Sequence, residues 1–65
     1  MLNILLIEGD ERSRLQLAGY LRMLGHVVTT CSEWQKGLEI ISGQNYQMVL
    51  VETNLSQMTA TEIIN

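Results

Sequence analysis

A chain of 65 residues, 46% of them apolar and 17% charged, fits one small globular domain rather than a disordered segment, and a chain this short buries only about 60% of its unfolded surface. A net charge of −3, with only Arg12, Arg14, Arg22 and Lys36 as cations, excludes a nucleic-acid surface for this segment, since four scattered charges cannot track phosphates. One cysteine, Cys31, excludes a disulfide framework and points to a reduced, cytoplasmic setting, and no apolar run approaches the roughly 20 residues that cross a membrane.

The first element is Leu2-Asn3-Ile4-Leu5-Leu6-Ile7-Glu8, an apolar run that ends in a carboxylate and reads as a strand buried on both faces. It is too short for a signal-peptide core, lacks a basic region before it and runs into Glu8, Asp10 and Glu11. Asp10 is placed to cap the helix that follows from Glu11. Leu17, Tyr20, Leu21 and Leu24 recur at helical spacing and predict its inner face, with Arg14, Gln16 and Arg22 off that stripe. Gly25 predicts the helix end, and Gly19 within the helix costs about 1 kcal/mol relative to alanine.

Val27-Val28-Thr29-Thr30-Cys31 is β-branched but more polar than the first run, which predicts a strand at the sheet edge. Ser32 and Gln35 make a capping box for a second helix, whose stripe would be Trp34, Gly37, Leu38 and Ile41. After the polar turn Ser42-Gly43-Gln44-Asn45, Tyr46 leads into Met48-Val49-Leu50-Val51, a second fully apolar run that again ends in an acid, Glu52. Thr59 and Glu62 suggest the start of a third helix, so the chain is expected to be part of a longer domain.

Strand, helix, strand, helix, strand predicts an α/β fold with a parallel sheet in the order 2-1-3 and helices on both faces. In that order the gap between strands one and three is a topological switch point, where open α/β sheets bind ligands. Glu8 and Glu52 would open onto it.

These features together resemble the N-terminal half of a receiver domain from a two-component response regulator, over residues 3–64. The resemblance rests on the first strand with its terminal acid, on Leu24-Gly25-His26, on Tyr46-Gln47-Met48-Val49-Leu50-Val51-Glu52 and on Asn54-Leu55-Ser56-Gln57-Met58. It implies a flavodoxin-like fold in which an aspartate after strand three accepts a phosphoryl group. Two acids after strand one, with a backbone carbonyl beyond the acceptor, would hold Mg²⁺ there. The acceptor position falls on Glu52, the first acid on Glu8 and the carbonyl on Asn54. The second acid falls on Gly9, which has no side chain, and the proline and glycine expected after strand three are Ser56 and Ala60.

Glutamate at 52 pushes its carboxylate about one C–C bond outward, and the loss at Gly9 weakens an oxygen cage that depends on one or two carboxylates. The reading is therefore a pseudo-receiver: no catalysis, no cofactor beyond weak Mg²⁺ at most, no nucleic acid bound by this segment, and a protein partner or output domain as its target. The alternative is a small self-assembling α/β protein, a homodimer that completes its sheet through the apolar third strand. His26 has no second ligand at metal spacing, and Trp34, Met23, Met48 and Met58 read as packing residues.

Overall fold

A computed structural model describes residues 1–51. Three strands, β1 (Asn3–Ile7), β2 (Val27–Cys31) and β3 (Met48–Val51), alternate with two helices, α1 (Glu11–Met23) and α2 (Trp34–Gly43). The strands form a parallel sheet in the order β2-β1-β3. β1 is therefore the centre, and Ile4, Leu5, Leu6 and Ile7 are all buried. Burial of each such side chain contributes about 1.5–3 kcal/mol relative to exposure.

Alternation along β1 divides the core in two, because successive side chains of a strand point to opposite faces. Ile4 and Leu6 pack with Val28, Ala18, Leu21 and Leu50 on the α1 side. Leu5 and Ile7 pack with Cys31, Trp34, Ile40, Tyr46 and Val51 on the α2 side. Helices thus lie on both faces, and the chain leaves β1 towards one face and β2 towards the other.

The helix ends follow local chemistry. Asp10 caps α1, its side chain accepting the Ser13 N–H at 2.8 Å. At the other end Gly25 adopts φ 96°, and the Gly25 and His26 N–H groups donate to the Arg22 and Leu21 carbonyls at 2.9 and 3.2 Å. This paired closure of a helix by a left-handed glycine satisfies carbonyls that would otherwise lack partners.

Both predicted stripes need correction. In α1 the inward positions are Ala18 and Leu21, while Leu17, Tyr20 and Leu24 are 38%, 55% and 56% exposed. The helix carries apolar side chains around more than half its circumference, including exposed Leu15 and Met23, so spacing alone did not fix which side would meet the sheet. The small Ala18 side chain suits the close approach to Ile4, Leu6 and Val28. In α2, Ile40 rather than Leu38 or Ile41 joins Trp34 against the core, and Leu38 is 54% exposed.

The capping box at Ser32 and Gln35 does not form. Glu33 is the N-cap of α2 and makes no side-chain cap hydrogen bond. Gly37 explains how α2 is seated: a Cβ there would collide with the Ile7 side chain and lie 3.4 Å from Cys31 Sγ. The expected third helix, with Thr59 and Glu62, lies outside the described residues.

Candidate functional site

The C-terminal end of β1 places Glu8 beside the last residue of β2. Its N–H donates to the Cys31 carbonyl at 3.0 Å, continuing the ladder one residue beyond the strand. Glu8 was expected where the strand meets water, but it is only 2% exposed. Its side chain turns back over the following loop, and Oε1 accepts the Asp10 N–H at 2.9 Å. That bond removes a buried-acceptor penalty, which explains how an acid can sit in a well-packed position.

Arg14 completes the turn. Its guanidinium donates from Nη1 to the Glu8 carbonyl at 3.0 Å, so one side chain of α1 ties the helix to the end of the central strand. The first bond of the helix, Arg14 N–H to the Asp10 carbonyl at 2.8 Å, brings Arg14 to the turn that Asp10 caps. The hydrophobic pattern had set Arg14 aside as off-stripe. Its position one turn after the cap is the signal that would have found it.

Electrostatics in the turn favour a charged Asp10. The Ser13 backbone N–H, then the Ser13 side chain, hold the Asp10 carboxyl below the usual aspartate range, and nearby Arg14 acts in the same direction. Cys31 goes the other way: burial pushes its thiol up, partly opposed by a hydrogen bond with the Glu33 backbone. A raised thiol keeps little nucleophilic thiolate at neutral pH.

Ile7 and Val51 are register partners, so the residues immediately before Glu8 and before Glu52 lie side by side at the notch between β1 and β3. Glu52 and Asn54 lie outside the described residues, as do Ser56, Met58 and Ala60. Gly9 is exposed and offers no side chain to the turn.

Glu8 Oε1 is engaged by a backbone N–H, the Asp10 carboxylate caps α1, and no three of the described His, Cys, Asp and Glu side chains cluster closely enough to hold a metal ion. His26 is structural, its Nδ1 accepting the Leu2 N–H at 3.1 Å. Trp34 packs against Leu5 and Ile7, whereas Met23 and Met48, expected to pack, are exposed. Among the described residues no helix is long and apolar enough to cross a membrane. Comparison with protein-family models, curated proteins and solved structures finds no match.

Proposed function

We propose that this chain is part of a pseudo-receiver module with a flavodoxin-like fold, a non-enzymatic signalling element of a response regulator that acts on a partner or output domain without phosphorylation at Glu52. The observation that carries the reading is the parallel order β2-β1-β3 with an acid, Glu8, at the C-terminal end of the central strand. This is the position at which open α/β sheets place their ligand notch.

The composition of that notch supports a module that has given up phosphoryl chemistry. Gly9 supplies no side-chain oxygen, and one carboxylate oxygen each of Glu8 and Asp10 already accepts a backbone N–H. Arg14 adds a fixed positive charge at the same turn. The exposed apolar side chains of α1, Leu15, Tyr20, Met23 and Leu24, support a protein rather than a small-molecule partner, because they offer apolar area on a convex helix surface and not within a pocket.

Acetyl phosphate with Mg²⁺ tests the proposal by intact mass. The unmodified mass is expected to persist in the native chain; stoichiometric, hydroxylamine-labile modification at Glu52 would contradict it. In a complete domain, Gly9→Asp combined with Glu52→Asp is expected to introduce Mg²⁺-dependent labelling, and no labelling would count against the alignment of these two positions.

A second reading, self-association through β3, has one observation in its favour. Met48 and Val49 are 40% and 41% exposed on a strand that pairs only with β1 among the described residues. A sedimentation series separates the two, since a monomer at micromolar concentration argues against assembly.

A further inference from the structure

β2 has β1 on one side and no strand on the other among the described residues. A parallel ladder engages alternate residues of an edge strand. Val27 donates its N–H to the Leu2 carbonyl at 2.9 Å, and the Cys31 carbonyl accepts the Glu8 N–H at 3.0 Å. The odd-numbered residues of β2 therefore turn their backbone groups towards β1, and Val28 and Thr30 turn theirs to the open edge. An edge of this kind is a template for another strand.

One outward group is already taken. Arg22, in the last turn of α1, donates from Nη2 to the Val28 carbonyl at 2.8 Å. We propose that Arg22 is a clasp that closes the open edge of β2 against strand addition by a second copy of this chain. The guanidinium occupies the acceptor at the middle of the edge and sets a charged group where an incoming backbone would have to lie. Packing holds it there: Leu21, the neighbouring residue of α1, is seated against the same cluster as Val28. The Gly25 and His26 bonds to the carbonyls of Arg22 and Leu21 fix the backbone of this last turn.

A role confined to helix stability would not alter the edge itself, so the test reads the edge. In the full chain, Arg22→Met keeps a long stem and a good helix former but removes the donors. Amide exchange at Val28 and Thr30 is measured across a protein concentration series beside sedimentation velocity. In the native chain both amides are expected to exchange at a rate independent of concentration. In Arg22→Met they are expected to gain at least tenfold protection as concentration rises, together with a larger sedimentation coefficient. Adding Thr30→Pro, which deletes an outward donor without touching the ladder to β1, is expected to reverse the protection at Val28 and the rise in sedimentation coefficient.

Concentration-independent exchange in Arg22→Met would overturn the proposal. Thr30→Pro in the otherwise native chain covers the case in which Arg22→Met does not fold. It is expected to leave association unchanged, and a fall in association would mean that the edge had been open despite Arg22.

Discussion

Glu8→Ala removes the acceptor of the Asp10 N–H together with the buried Glu8 side chain, whereas Glu8→Gln keeps an oxygen at the same place. The alanine variant is therefore expected to lose about 1 kcal/mol, the net contribution of a typical hydrogen bond whose donor water can still reach, and the glutamine variant less, as read by urea denaturation. Asp10 gives a prediction in pH. Its carboxyl is held below its ordinary value in the folded chain, chiefly by the Ser13 N–H, so its contribution is present above the unfolded value and disappears as pH falls through the folded one. The difference in urea midpoint between the native chain and Asp10→Ala is expected to shrink below about pH 4; a constant difference across that range would contradict the capping role. Asp10 was legible in the sequence because a cap depends only on the next three residues. The burial of Glu8 and the reach of Arg14 were not, because both depend on how α1 lies against β1.

The same division holds for whole elements. Five stretches of sequence announced themselves as strands or helices through run length, alternation and terminal glycine or acid. The rotation of each helix about its own axis did not, since α1 offers two overlapping apolar arcs and only packing chooses between them. Glycines make that packing testable with opposite signs. Gly19 has open space around a would-be Cβ, so Gly19→Ala is expected to stabilise by up to about 1 kcal/mol through helix propensity. At Gly37 a Cβ would press on Ile7 and sit 3.4 Å from Cys31 Sγ. Gly37→Ala is expected to destabilise, because overpacking of about 1–3 kcal/mol outweighs the ~1 kcal/mol propensity gain. Thermal denaturation of the two single variants checks the pair, and a gain at both positions would mean that α2 is not pressed against β1 as described.

For the molecule as a whole, the sheet order was legible in part. The unbroken run of residues 4–7 demands cover on both faces and is the centre, and the more polar β2 tolerates an edge. The equally apolar β3, expected to be buried on both faces, lies at the other edge of the described sheet, with Met48 and Val49 40% and 41% exposed. Parallel pairing then follows from connections that contain helices. Function was less legible, since the notch between β1 and β3 is recognised by position but defined by the side chains around it, and Gly9 beside it offers none. The direct measurement is an amide NMR titration of the native chain with beryllofluoride and Mg²⁺, following Ile7, Glu8, Gly9 and Asp10. The pseudo-receiver account predicts no saturable shift at these four amides; saturable, Mg²⁺-dependent shifts confined to them would contradict it.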